Sequence, residues 1–201
     1  MEMKNEGRRS SEISRETNET KVYVRLDVDG QGRFEVQTGN GFFDHMLEQL
    51  SQHSGFDLTV RAEGDSRVDC HHMVEDVALV LGQALGECIR DKKGIERFGE
   101  ALIPMEEALC QTAVDLCGRA KLVYQCGFSN PRVGDMDTEM FEHFFSTLVS
   151  QGFITLHIRL LYGTNTHHMA ESMFKATAVA LKRAVRRTAA AAGIPSTKGC
   201  L

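Results

Sequence analysis

The chain has 201 residues, of which 42% are hydrophobic and 25% charged, with a formal net charge of −5. That length suits one large domain or two small halves around a sizeable core; the acidic balance argues against a broad nucleic-acid surface and leaves room only for a local basic pocket that takes a small anion. No apolar run reaches membrane-spanning length, no signal-peptide core is present, and six cysteines without a C-x-x-C pair read as reduced packing residues of a cytoplasmic protein.

Residues 1–16 are polar and without periodicity, and read as a mobile arm. Residues 21–39 alternate polar and apolar on both sides of a Gly-containing turn, which predicts a β-hairpin. Phe43, Met46, Leu47 and Leu50 then recur at helical spacing, with Gly55 as the stop signal. A strand follows from Phe56, and a second amphipathic helix puts Val74, Val77, Ala78, Leu81, Leu85 and Cys88 on one face. The order then repeats. A hairpin turning near Gly118 leads to a helix around "MFEHFFSTLVSQGF", a strand "ITLHIRLLYG", and a long helix from Thr166 that runs on to just before Pro195.

The two halves match at particular residues. Phe43-Asp44-His45 aligns with Phe141-Glu142-His143, Gly55-Phe56 with Gly152-Phe153, and His71-His72-x-x-Glu75 with His167-His168-x-x-Glu171. The first histidine precedes the pair by 26 residues in one half and 24 in the other, with one residue dropped at the helix end and one in the strand or loop after it. The chain thus reads as a tandem duplication of a β-β-α-β-α unit in an α+β fold. Residues 17–92 form the first half-domain and 93–201 the second, in one compact catalytic unit.

Helix geometry decides what the histidines can reach. Residues four apart share a face, whereas neighbours point about 100° apart. His71 and Glu75 can aim at one ion while His72 aims elsewhere, and His167 with Glu171 stands in the same relation to His168. Symmetry suggests one ion held by His71, Glu75, His143 and His168, and another by His167, Glu171, His45 and His72. Imidazole with carboxylate suits Mn, Fe, Co, Ni or Zn. A lone HHxxE is more often a solvated pair than a ligand set; its recurrence with a matched acidic-His pair favours metal. His53 and His157 fall outside the pattern and read as structural. Lys175 lies one turn beyond Glu171 where the first half has Leu79, and so breaks the symmetry of the site. Ser196 and Lys198 lie in a Gly/Pro-bounded loop of anion-binding type.

The segments "RETNET", "GFFDHML", "DCHHMVED", "RFGEALIPMEEAL", "DLCGR", "NTHHMAESMFK" and "PSTKG" span residues 15 to 199 and resemble the imidazoleglycerol-phosphate dehydratase family. Met73, Glu106 and Cys117 depart from the Thr, Asp and Ser usual there, and none is a proposed ligand. The resemblance implies half-domains that are each a four-stranded sheet with two helices on one face, as in the second domain of ribosomal protein S5. It implies two Mn2+ ions per active site, with other divalent transition metals as substitutes. It further implies a homo-oligomer of twenty-four subunits, built from trimers with active sites at subunit interfaces. By the same match Glu19 is the catalytic acid/base and Gln49 a substrate contact, and Arg97, Arg119, Lys175, Ser196 and Lys198 hold the phosphate of a small-molecule substrate. The implied reaction dehydrates D-erythro-imidazole-glycerol phosphate to imidazole-acetol phosphate in histidine biosynthesis. A dinuclear metallohydrolase of a small phosphate ester and a non-catalytic metal-binding protein are the alternatives.

Overall fold

The structure is a computed structural model that describes residues 7–64, 69–188 and 193–197. The first half runs β1 (Ser10–Glu16), β2 (Thr20–Asp27), β3 (Phe34–Gln37), α1 (Gly41–Ser54), β4 (Asp57–Gly64) and α2 (His71–Cys88). The second runs β5 (Phe98–Met105), β6 (Ala108–Asp115), β7 (Lys121–Gln125), α3 (Glu139–Gly152), β10 (Thr155–Tyr162) and α4 (Thr166–Val185). A short hairpin, β8 (Arg132–Val133) with β9 (Met136–Asp137), is inserted before α3.

Each half holds a four-stranded sheet, ordered β1-β2-β4-β3 in the first and β5-β6-β10-β7 in the second. The helices of each half cover one face of their own sheet. They then pack against the opposite half, α2 on α3 and α1 on α4. One continuous core results, with Phe43, Phe144, Phe145 and Phe174 fully buried between the layers. Phe43 meets Phe144 edge-on across the two halves at 5.5 Å. Every residue of the apolar face expected on α2, from Val74 to Cys88, is buried. Among the described residues no helix is long and apolar enough to cross a membrane.

Four expectations need correction. The repeating unit is β-β-β-α-β-α, because Ser10–Glu16 is a strand and no mobile arm; residues 1–6 lie outside the described set. Its edge position demands little apolar pattern. Ser11 points inward to bond Glu87, Ile13 packs on the core, and Arg9 pairs with Asp29 to fix the entry. Second, the predicted hairpins are not hairpins. β2 pairs antiparallel with β1 and β4, while β3 lies parallel to β4; β6 and β7 repeat this around β10. Third, α4 stops at Val185. Arg186 leaves the helix at φ −58°, ψ 128°, and backbone pairing with the segment at 94–96 takes over.

The fourth concerns the alignment of the halves. Gly55 ends α1 in the left-handed region at φ 77°, and the residue that ends α3 in the same way is Phe153, at φ 50°. Gly55 therefore matches Phe153 rather than Gly152. Both missing residues fall in the loop before the second His-His helix.

Candidate metal and catalytic site

Local sequence sets up the histidine corners. Asn40 caps α1 through its side-chain oxygen, which accepts from the N–H of Phe43; Asn165 caps α4 in the same way for His167 and His168. At α2 the carboxylate of Asp69 accepts from the N–H of His71. Such caps stop each helix at a fixed residue, so the side chains of its first turn have fixed directions.

Two clusters form where helices of opposite halves meet. In the first, His45 of α1 joins His167 and Glu171 of α4, with donor atoms within 4.8 Å of one another. Glu171 Oε2 lies 3.1 Å from His167 Nε2 and 3.5 Å from His45 Nε2. The other oxygen, Oε1, accepts from Lys175 Nζ at 2.6 Å. Burial would raise the Glu171 carboxyl, but the hydrogen bond and charge of Lys175, with His45 and His167, hold it below the usual carboxylate range. In the second cluster, His71 and Glu75 of α2 meet His143 of α3, again within 4.8 Å. The rings of His71 and His143 sit 4.4 Å apart, and Glu75 Oε1 lies 3.7 Å from His143 Nε2.

Both donor sets fit a divalent transition metal, since each offers two imidazole nitrogens and a carboxylate in one place. His143 Nε2 gives a second sign: it is a buried polar atom with no hydrogen-bond partner among the described residues. A buried imidazole nitrogen left unpaired is costly unless something else binds it.

Within one chain the fourth ligand expected in each set lies apart from the other three. His72 turns to Glu19, whose Oε2 lies 3.5 Å from its Nδ1, and His168 turns to Glu107, at 2.7 Å. The cause is the 100° step between neighbouring helical residues, which sends the second histidine of each pair off the face that carries the first.

Glu19 sits in the β1–β2 turn. The Thr17 hydroxyl accepts from the N–H groups of Glu19 and Thr20, and the Thr20 hydroxyl donates to Asp76. The backbone is thereby pinned and the carboxylate left 61% exposed. Gln49 lies one turn beyond His45 on α1 and bonds His53 Nε2 at 3.1 Å.

The expected phosphate holders are spread out. Lys175 serves Glu171. Arg97 holds Asp115 through two hydrogen bonds and donates to the carbonyl of Pro195, tethering the loop that bears Ser196. Its backbone meets the carbonyl of Ala184, nine residues along α4 from Lys175 and so roughly 13 Å away along the axis. Arg119 is exposed in the loop after β6, and Lys198 lies outside the described residues. Among the described residues a single chain does not gather these groups.

Burial and the charges of Lys175 and Lys182 lower the pKa of His53, read as structural, against the pull of Glu171. Two residues escaped the sequence reading. Asp76 anchors the Glu19 turn and also takes Arg15. Glu107 faces His168 across 61 positions of sequence, a separation no local pattern reveals. A cavity of about 500 Å3 beside the start of α2, lined by Asn40, Cys70, Met73, Arg132 and Asp137 among others, touches neither cluster.

The sequence model described as "Imidazoleglycerol-phosphate dehydratase" matches residues 38–181. An imidazoleglycerol-phosphate dehydratase of Acidiphilium cryptum is 52% identical over 194 residues, covering 96% of this chain and 99% of the relative. That of Zymomonas mobilis is 51% identical with the same coverage. The crystal structure of the Staphylococcus aureus enzyme superposes with a TM-score of 0.81 at 38% identity, over 89% of this chain and 99% of that one. The Pyrococcus furiosus enzyme, in complex with (S)-C348, also gives 0.81, at 31% identity over 94% and 100%.

Proposed function

The chain belongs to the imidazoleglycerol-phosphate dehydratase family, hydro-lyases of histidine biosynthesis, and from that premise we propose that it removes water from D-erythro-imidazole-glycerol phosphate to give imidazole-acetol phosphate. Two Mn2+ ions serve the reaction. His45, His167 and Glu171 hold one, and His71, Glu75 and His143 the other. A second copy of the chain completes each set with His72 or His168, which face outward here. The observation that carries this reading is the convergence of two His-His-Glu triads at matched positions of a duplicated fold.

When bound, the metal supplies Lewis-acid charge that favours the deprotonated form of the substrate's imidazole. The protein's part is placement and proton transfer. Two triads suit a ring with nitrogens on opposite edges, and a ring fixed at both edges has its side chain aimed. Loss of the hydroxyl beside the ring is driven by ring electron density. Glu19, exposed on a pinned turn, takes the proton from the neighbouring carbon, and the enol that forms becomes the ketone. Gln49 contacts the substrate, and Arg97, Arg119, Lys175, Ser196 and Lys198 meet its phosphate in the assembled enzyme.

Assembly is part of the proposal. Phe98, Leu102, Leu161 and Tyr162 on β5 and β10 are between 39% and 61% exposed, an apolar concentration that suits contact with other copies. Trimers with sites at their interfaces, joined into twenty-four subunits, would cover such surface and bring outward histidines to neighbouring triads. The chain works in the cytoplasm, without membrane or nucleic-acid partners.

The test is a metal-dependent assay on imidazoleglycerol phosphate. Stripped protein should be inactive and Mn2+-loaded protein should release water with the phosphate ester intact. Liberation of inorganic phosphate would establish the metallohydrolase instead, and two tightly bound ions with no turnover would establish a non-catalytic binder.

A further inference from the structure

The duplication pairs a carboxylate with the outward histidine of each half. Leu26 and Val114 occupy the same place, each opposite the first inward leucine of the central strand, Leu58 or Leu156. Counting back along β2 and β6 sets Glu19 against Glu107. Both lie in the connection between the first two strands of their half, and both face the second histidine of the His-His helix that follows, His72 or His168. The two pairs are built to different tightness. Glu107 Oε1 accepts from the N–H of Thr164, the Thr164 hydroxyl and the N–H of Asn165, at 3.0, 3.2 and 2.6 Å. With that oxygen saturated, Oε2 is left to His168 Nδ1 at 2.7 Å. Glu19 has no such anchor on its carboxylate among the described residues' hydrogen bonds, and its contact with His72 is 3.5 Å.

We propose that Glu107 is a positioning residue that fixes His168 as the Nδ1–H tautomer and so presents Nε2 as a metal ligand. A carboxylate accepts and cannot donate, so the ring nitrogen facing it must carry the proton. Three donors on Oε1 and the His168 ring on Oε2 leave both oxygens of Glu107 in the accepting role. The lone pair of the neutral ring is then on Nε2, at the far edge. Outer carboxylates of this kind orient ligating histidines and raise their basicity. The same three donors tie Glu107 to the residues that cap α4, so ring and helix start are set by one group. The inference rests on His168 being a ligand, as proposed above.

The deciding variant is Glu107→Gln. Three donors keep the amide oxygen where Oε1 was, so the amide NH2 faces His168. A donor there demands the lone pair at Nδ1 and drives the proton to Nε2, which then cannot bind metal. The cap survives and the tautomer reverses. Thermal unfolding of the metal-stripped variant should stay close to that of the parent, while Mn2+ titration of the assembled protein should show half of the bound equivalents weakened about 10–100-fold. A folded Glu107→Gln protein that binds every equivalent with parental affinity would overturn the inference. Should the variant fail to fold, 15N-histidine spectra of the stripped parent decide: an Nδ1–H signature for His168 supports it and an Nε2–H signature refutes it. His168→Ala separates the two layers. Loss of the same equivalents there, with Glu107→Gln unaffected, sinks only the role of Glu107, whereas full binding by His168→Ala sinks the ligand assignment beneath it.

Discussion

The first and second halves of the molecule share a backbone plan and differ in how firmly their acids are held. In the second half Glu171 is buried and pinned by Lys175, and Glu107 is saturated by loop donors. In the first, Glu75 stands 45% exposed with Leu79 where the lysine would be, and Glu19 is 61% exposed. A carboxylate with fixed partners is suited to hold things, while one with an exposed end can exchange protons with whatever arrives. The duplication therefore supplied two similar scaffolds whose carboxylates differ in how firmly their surroundings fix them.

Exchanging acid for amide in the first half tests this division most severely. Glu19→Gln should retain its full complement of Mn2+ by elemental analysis and lose turnover by about 10²–10⁴-fold. Near-parental turnover in the loaded variant would place the proton transfer elsewhere.

Packing offers the next contrast. The first inward position of the edge strand is Ser11 in β1 and Gly99 in β5. A Cβ on Gly99 would land on the carbonyl oxygen of Ala180 in α4, whereas the first half leaves room for a serine that bonds Glu87 on α2. Gly99→Ala should destabilise the chain by about 3 kcal/mol, since the obstacle is backbone. Ser11→Ala should cost about 1 kcal/mol for its hydrogen bond. Urea unfolding of both variants compares them, and equal losses would show that α4 gives way more easily than its contacts indicate.

A smaller effect follows from acid. Asp57, at the start of β4, pairs with Arg33 and Arg8, and Thr155 takes its place in the second half. Burial would raise its carboxyl, but the Arg33 side chain and the N–H groups of Gln31 and Arg33 bring it down from 3.8 to about 2. A carboxyl with a lowered folded value stabilises the protein fully above its unfolded value and loses that contribution as pH falls. About 1–2 kcal/mol, allowing for solvent screening, should thus be present above pH 4 and vanish as pH drops toward about 2. Asp57→Asn should flatten the stability–pH curve in that window alone, which unfolding measured across acid pH reads directly. An unchanged slope would assign the acid response to other groups.

Much of this was legible in the residues themselves. Helical spacing located α1 and α2, with Gly55 as the stop of α1, and the doubled HHxxE marked the His–Glu pair of each cluster. What failed did so for tertiary reasons. The strand β3 reads locally as the second arm of a hairpin with β2, yet its partner is β4, contributed after an intervening helix. The edge strand β1 needs only Ser11 and Ile13 inward, too little to register as a pattern. Gly152 looked like the helix stop because glycine is the usual left-handed cap, but Phe153 takes that conformation. Glu107 carried no signal at all beyond its place beside Glu106, since its meaning comes from a histidine folded back onto the turn.

Each triad draws a lone histidine from one half and a His–Glu pair from the other: His45 meets α4, and His143 meets α2. An ion held at either position would consequently be a rivet through the seam of the molecule. With both positions filled, prising the halves apart would have to open two coordination spheres at once, so occupancy and cohesion would rise and fall together. Starving the chain of cations should loosen its middle before its sheets, with amide exchange quickening first along the helices that meet across the seam.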